Sequence, residues 1–172
     1  MIYDAKHSSG RACGGSAILV HKNIRHFPLP KFSKDYIQPT SINLLHIGLA
    51  ISALYCPPSR NICKDQFLYY FNTVGPKFIV AGDYNAKHTL CASRLITTRG
   101  RLLLDAVSSN RMDVLTEGHT TYWPTDLNKI TDVIDFAVVR NIIFWISLLL
   151  HSRSKHLCLM QIYWGKIIYR RL

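Results

Sequence analysis

A carboxylate, a carboxamide and an imidazole stand within six positions of one another, at Asp83, Asn85 and His88. They follow an apolar run with β-branched residues at 77–81, which ends at Gly82. Such a run predicts a buried strand, and ligands in α/β proteins gather where strands end. An aspartate and an asparagine two positions apart can meet one phosphate or one water. The alternative is an Asx-type turn, in which Asp83 and Asn85 bond only their own backbone.

Two more polar residues stand at or within predicted strands. Tyr55 comes just before Pro57 and Pro58, which stop a strand, and Asp135 interrupts the apolar run at 133–139. Taken alone, Tyr55 is an ordinary half-buried aromatic residue and Asp135 is a buried acid satisfied by nearby backbone groups. A carboxylate within an apolar strand is costly unless it is paired or hydrogen-bonded. The order of the three stretches indicates one shared site, and we expect them to converge in space.

The elements that must position these residues are several short strands and two helices. The strands are predicted at 16–21, 40–45, 47–55, 77–81, 113–115, 120–124 and 133–139, with a turn near His46 and Gly48 and breaks at Pro28 and Pro30. Their order along the chain predicts an α+β protein, or a layered α/β fold with antiparallel strand pairs.

Each predicted helix has an N-cap and one apolar face. Asn61 caps the first helix and Thr98 caps the second. The apolar face of the first is predicted to be Cys63, Phe67, Tyr70, Phe71 and Val74. The apolar face of the second is predicted to be Leu102, Leu103, Ala106 and Val107.

Length and charge bound the class of protein. A chain of 172 residues can bury one core, and 48% hydrophobic residues exclude a wholly disordered protein. The formal net charge of +11 favours a polyanionic partner, with nucleic acid first and an anionic membrane surface second. From Arg140 onward the sequence holds six basic residues and no acid, which indicates a tail of different character.

The cysteines and the apolar stretches exclude several other classes. Five cysteines with irregular spacing and no CxxC pair indicate neither a disulfide framework nor a zinc site. The first ten residues lack the apolar core of a signal peptide. The most apolar window, at 142–150, is too short to span a bilayer. We therefore expect a reducing compartment and no membrane partner.

Taken together, the motifs resemble the endonuclease/exonuclease/phosphatase superfamily, and more narrowly the endonuclease domain of Jockey-type non-LTR retrotransposon polyproteins. The resemblance covers residues 2–141. The matching stretches are 14–20, 51–58, 80–88, 93–94 with 98–101, and 132–136.

The resemblance implies a four-layer α/β sandwich that nicks DNA with a divalent cation, usually Mg²⁺. By position, Asp83 resembles the acid that orients or deprotonates the attacking water, and Asn85 the amide that holds the scissile phosphate. Tyr55 resembles a phenol that hydrogen-bonds a phosphate oxygen, and Asp135 an acid that orients a catalytic histidine. His88 and Arg94 match positions with a structural or DNA-phosphate role.

The resemblance also implies partners and a location. The nick primes reverse transcription, so the parent polyprotein carries a reverse transcriptase domain and acts in the nucleus. No small-molecule cofactor is expected.

Two departures from the family pattern bear on activity. The family's first strands, which carry an asparagine and the metal-binding glutamate, precede the point where this sequence begins, and Glu117 matches neither. The family ends on a Ser-Asp-His motif, whereas residues 152–156 hold no aspartate, so neither His151 nor His156 is accepted as the catalytic histidine. We therefore expect a partial sandwich at 1–141, a basic-apolar tail at 142–172 outside the family pattern, no metal ligand, and no nicking by this chain as it stands.

Three other interpretations stay open. The first is a non-catalytic basic remnant that binds nucleic acid, and the second is a gene fragment without function. The third is a phosphatase of the same superfamily, which is the weaker alternative because the match to the Jockey-like motifs extends beyond the chemistry that the superfamily shares.

Overall fold

The computed structural model describes residues 2–4, 15–124, 126, 128, 130–142 and 160–164. In these ranges the chain forms nine strands, two α-helices and one short 3-10 helix at Thr89–Cys91. The helices are α1 (Lys64–Val74) and α2 (Thr98–Ser109). The strands are β1 (Ile2–Asp4), β2 (Ser16–Val20), β3 (His26–Pro28), β4 (Gln38–Leu44), β5 (Leu49–Tyr55), β6 (Phe78–Asp83), β7 (Asp113–Leu115), β8 (Asp135–Arg140) and β9 (Met160–Trp164).

Six strands form a central sheet in the order β3-β4-β5-β6-β8-β7. β5 and β6 are parallel neighbours, and the other neighbouring pairs are antiparallel. A parallel pair needs a long crossover connection, which α1 supplies between β5 and β6. Because β5 and β6 lie in the middle of the sheet, both of their faces are covered, and this explains their almost continuous apolar sequence.

Each face of the central sheet carries its own apolar cluster. On one face, Phe71 of α1 stacks on Phe78 of β6 with ring centroids 5.7 Å apart. On the other face, Ile18 of β2 packs with Ile42 of β4 and Ile51 of β5, and all three are buried. The sheet is therefore the middle layer of the described fold.

A second sheet, β1-β2-β9, covers the face opposite the helices. β2 lies in its centre and pairs antiparallel with both neighbours. The two sheets are also linked by polar contacts, since the Ser16 hydroxyl bonds the Thr40 hydroxyl at 3.1 Å. The helices and the two sheets thus make three stacked layers, which confirms the predicted α/β sandwich. A fourth, helical layer is not among the residues that the structure describes.

The two helices begin at residues other than those predicted. α1 has its N-cap at Cys63 rather than Asn61, and the Gln66 side chain accepts a hydrogen bond from the Cys63 N–H at 2.9 Å. α2 has its N-cap at Thr97 rather than Thr98. Its buried face also differs from the predicted one, because Leu104 rather than Leu102 is buried.

One predicted strand is absent as a strand, and several others have different bounds, among them β4, which begins at Gln38, and β6, which ends at Asp83. Residues 120–124 form a single bridge between Tyr122 and Asp132 rather than a strand. β8 begins at Asp135 rather than Val133, because Asp132 and Val133 are held by side-chain hydrogen bonds before the strand pairs with β6.

Part of the predicted tail belongs to this fold. Met160–Trp164 pair with β2 over five residues, as β9. His151 and His156 lie outside the described residues. In the described part of the chain, neither helix is long and apolar enough to cross a bilayer.

Candidate active site

Tyr55, Asp83 and Asp135 lie side by side at one end of the central sheet. Tyr55 is the pairing partner of Asp83 across β5 and β6, and Asp83 is the partner of Asp135 across β6 and β8. Neighbouring strands are about 4.8 Å apart, and paired residues point to the same face. The predicted convergence of the three stretches is confirmed, while the chemical roles stay predictions.

Gln38 extends this row by one more strand. It pairs with Tyr55 across β4 and β5. Its Oε1 atom is buried and has no hydrogen-bond partner among the described residues. Sequence reasoning missed Gln38, although a hairpin turning at 45–48 sets the register that puts it opposite Tyr55. We call Gln38, Tyr55, Asp83 and Asp135 the polar row.

The polar row faces the second sheet rather than the helices. Alternation along β5 puts Tyr55 on the same face as Ile51 and Ala53, which pack towards β2. Asp83 follows Ile79 in the same way on β6. The row therefore lies at one end of the interface between the two sheets.

Gly82 sits where β6 passes closest to β5. A Cβ atom at this position would lie 1.9 Å from the Leu54 carbonyl oxygen. A side chain is excluded there, so the glycine before Asp83 is a packing requirement of the strand pair.

Asn85 adopts a left-handed backbone conformation with φ of 45°, which asparagine tolerates better than most residues. Its N–H donates to Asp83 Oδ1 at 2.8 Å, and its Nδ2 donates to Asp83 Oδ2 and to the Cys56 carbonyl, both at 3.0 Å. The Asx-type turn of the alternative interpretation is therefore present. The same turn aims Asn85 at both Asp83 and the loop that follows β5.

Burial raises the pKa values of the two carboxyl groups in the polar row. Burial first and the neighbouring Asp135 second raise the pKa of Asp83, the Asn85 N–H and Arg99 oppose the shift, and the net value is about 7. Burial also raises the pKa of Asp135 to about 6, against the effect of the Thr121 hydroxyl. A carboxyl group with a pKa near neutrality is suited to accept a proton from water.

His88 and Arg94 lie on the loop between β6 and α2, and neither belongs to the polar row. His88 Nδ1 accepts from the Leu90 N–H at 3.2 Å and so caps the 3-10 helix. Arg94 is exposed and its guanidinium donates to the Thr131 carbonyl at 2.8 Å. Both residues have structural contacts here, and their predicted contact with DNA stays a prediction.

Asp132 is a buried acid to which the sequence analysis gave no role. It accepts from the Ser93 hydroxyl at 2.9 Å and from the Arg94 N–H at 3.1 Å, and Lys87 Nζ lies 2.9 Å from its other oxygen. Burial alone would raise its pKa, but Lys87 and the hydrogen bonds from Val133, Arg94 and Ser93 hold that pKa at about 2. Asp132 thus ties the loop at 87–94 to the segment that enters β8.

The described residues do not fit a magnesium ion without further ligands. They contain no group of three His, Cys, Asp or Glu side chains placed to hold a metal. Both oxygens of Asp83 already accept hydrogen bonds from Asn85. Glu117, the one glutamate of the sequence, is exposed in a loop after β7.

The fold is that of a retrotransposon endonuclease domain. The structure is similar to the "Endonuclease domain of TRAS1, a telomere-specific non-LTR retrotransposon", with a TM-score of 0.65 and 19% sequence identity. The match covers 84% of this chain and 68% of the TRAS1 chain. At this identity the likeness concerns the fold alone.

Sequence comparison gives the family. Residues 49–159 match the family described as endonuclease-reverse transcriptase. The chain is 31% identical over 140 residues to the RNA-directed DNA polymerase from mobile element jockey of Drosophila melanogaster, and 33% identical over 138 residues to the probable RNA-directed DNA polymerase from transposon X-element of the same organism. These matches cover 80% and 79% of the chain but 15% of each relative. The chain belongs to the endonuclease-reverse transcriptase family, as its motifs predicted.

Proposed function

We propose that this chain derives from a retrotransposon endonuclease that hydrolyses a DNA phosphodiester in the nucleus to prime reverse transcription, and that it does not nick DNA as it stands. The observation that carries the first part is the polar row. Four polar side chains lie on adjacent strands at one end of the central sheet, and each is of a type that can hydrogen-bond water or a phosphate oxygen. The jockey relative is described as an RNA-directed DNA polymerase and the X-element relative as a probable one, so the parent polyprotein would carry a reverse transcriptase domain.

The roles follow from the position of each group. Asp83 would orient the attacking water and take its proton, because its pKa of about 7 leaves part of it ionised at neutral pH. Tyr55 and Asn85 would donate to phosphate oxygens. The Nδ2 group of Asn85 must give up its bond to Asp83 Oδ2 to do so, and protonation of Asp83 weakens that bond.

The expected lack of nicking follows from a shortage of positive charge directed at the site. Attack on a phosphodiester needs donors or cations aimed at the negative charge that develops on its oxygens. Among the described residues, two cations of the segments beside the row have other partners. Arg99 donates to main-chain carbonyls, and Lys87 is paired with Asp132. Losing one preorganised donor typically costs on the order of 10²–10³ in rate.

A supercoiled-plasmid nicking assay with Mg²⁺ tests the proposal, with Asp83→Ala as the matched variant. We expect no Mg²⁺-dependent nicking by either protein. Mg²⁺-dependent nicking by the unsubstituted chain that disappears in Asp83→Ala would contradict the proposal that the chain is inactive. The same result would support the proposed endonuclease chemistry of Asp83.

A non-catalytic DNA-binding remnant is the second candidate, and the net charge of +11 favours it. Two variants separate the candidates. If the polar row holds a phosphate, Tyr55→Phe and Gln38→Leu each weaken binding of a short DNA duplex at fixed salt. If binding rests on scattered surface charge, both variants bind as the parent chain does.

A further inference from the structure

Arg99 lies in the first turn of α2 and donates hydrogen bonds to two separate loops. Its Nη1 donates to the Tyr84 carbonyl at 3.4 Å, in the loop after β6. Its Nη2 lies against three carbonyls of the loop after β5: Pro57 at 3.0 Å, Pro58 at 3.3 Å, and Arg60. A guanidinium carries five N–H donors in a planar fork, which allows one side chain to hold both loops.

These two loops are the ones that the Asn85 side chain connects. Asn85 Nδ2 donates to the Cys56 carbonyl at 3.0 Å, and Cys56 and Asn85 are each one residue away from a carbonyl that Arg99 holds. The contacts of Arg99 therefore flank the hydrogen bond between Asn85 and Cys56 on both loops. If the loops separate, Asn85 loses the acceptor that fixes its amide and keeps only its bonds to Asp83.

The turn that carries Arg99 is itself fixed against the loop after β6. Thr97 Oγ1 accepts from the N–H groups of Gly100 and Lys87, both at 3.2 Å. A Cβ atom at Gly100 would lie 1.9 Å from the Lys87 carbonyl oxygen, so helix and loop are in direct backbone contact. Arg99 thus projects from a helical turn that is hydrogen-bonded to, and in close backbone contact with, the loop after β6.

We propose that Arg99 is a positioning residue of the site, which clamps the loops after β5 and β6 together and so sets Asn85 relative to Asp83. This inference rests on the proposed role of Asn85, but it concerns the geometry of the loops and needs no catalytic turnover. A residue that served stability alone would leave the hydrogen exchange of the Asn85 side-chain amide unchanged in a folded variant.

Solution NMR of the whole chain tests this, with Arg99→Gln, Arg99→Lys and the control Arg101→Gln. Arg101 lies two residues along the same helix and is exposed. One readout is hydrogen exchange of the Asn85 side-chain amide. The other is the titration midpoint of the Asp83 carboxyl, which faces Asp135, Asn85 and Cys56 and which Arg99 lowers.

In Arg99→Gln we expect Asn85 side-chain exchange to speed up about tenfold or more, as expected when a local opening becomes easier, and the Asp83 midpoint to rise by about half a pH unit, since a nearby cation is removed. Arg99→Lys keeps the charge but not the fork, so the midpoint stays within about 0.2 units while exchange still speeds up. Arg101→Gln changes neither readout.

Unchanged Asn85 exchange in a folded Arg99→Lys or Arg99→Gln would overturn the proposal, and so would an equal effect of Arg101→Gln. If Arg99→Gln does not fold, the exchange rate in Arg99→Lys decides alone. Because neither readout requires DNA cleavage, a failure here is distinct from a failure of the proposed endonuclease chemistry.

Discussion

The carboxyl groups of Asp83 and Asp135 are paired neighbours at a poorly solvated end of the central sheet. Burial is the first cause of both raised pKa values, and for Asp83 the proximity of Asp135 adds to it. In the unfolded chain both groups have a pKa of about 3.9. Between about pH 4 and pH 7 the folded protein therefore binds more protons than the unfolded chain, and stability falls as the pH rises through this range.

Replacing Asp135 with asparagine removes one of these buried charges. We expect Asp135→Asn to raise the free energy of unfolding by about 1–2 kcal/mol at pH 7.5, where both carboxyls of the parent chain are largely ionised, and by much less at pH 4.5. Urea denaturation at the two pH values measures the difference. Asp105→Asn on the exposed face of α2 is the control, and a gain that is equal at both pH values would argue against charge as the cause.

Gly82 gives a second prediction for a single residue. A methyl group there would overlap the Leu54 carbonyl at 1.9 Å, and β5 cannot move away without breaking its pairing with β6. We expect Gly82→Ala to cost about 3 kcal/mol or more. Gly48→Ala is the matched control, because Gly48 has a φ of +57° but open space around its Cβ position. Its cost is expected to be about 1 kcal/mol, from backbone strain alone. Equal losses in thermal denaturation would exclude the overlap as the reason.

At the scale of elements, the sequence predicted the strands of the site better than the loops that support it. The apolar runs predicted at 47–55 and 77–81 correspond to β5 and β6, although β6 continues through Gly82 to Asp83, since patterns of burial are local. The roles of Asp132 and Arg99 were not predictable in this way. Their partners lie about 40 positions away in sequence, on segments with no regular pattern. Residues 120–124 were wrongly predicted as a strand, because alternation cannot tell a single bridge from a ladder.

Asp132 joins the loop at 87–94 to the segment that enters β8, and replacing it should destabilise both. Asp132→Ala leaves Lys87 without its buried partner and the Arg94 N–H and Ser93 hydroxyl without an acceptor. Breaking a buried, hydrogen-bonded ion pair from one side costs about 3 kcal/mol. We expect a loss of this size in urea denaturation at pH 7, with Asp105→Ala as the exposed control.

The pH dependence of this stability loss tests whether the Asp132 carboxylate is its cause. The pKa of Asp132 is lowered to about 2 in the folded state, so its contribution is complete above about pH 4 and is lost as the pH falls towards 2. The difference between the parent chain and Asp132→Ala should therefore shrink below pH 4. A difference that stays constant down to pH 2 would show that the carboxylate charge is not what holds the loops.

At the scale of the whole molecule, the positive net charge is expected to determine how the chain binds DNA. The formal net charge of +11 predicts sequence-independent attraction to DNA, with an affinity that falls steeply as salt rises. The basic residues of the segment after Arg140 contribute strongly to this sum. Deleting that segment would not isolate the effect of charge, because β9 belongs to it and pairs with β2. Substitutions that keep the chain length are the cleaner experiment.

We therefore expect glutamine at Arg153, Lys155, Lys166, Arg170 and Arg171 to reduce the dependence of binding on salt. Every cation removed from a DNA phosphate lowers the slope of log K against log salt by about 0.9 for duplex DNA. Fluorescence anisotropy with a labelled duplex between low and moderate salt measures that slope. The pair Lys22→Gln and Arg25→Gln, in the exposed turn after β2, shows the effect of removing charge elsewhere. An unchanged slope in the five-fold variant would mean that these cations do not bind phosphate. Affinity that is independent of salt in the parent chain would rule out the electrostatic basis of binding altogether.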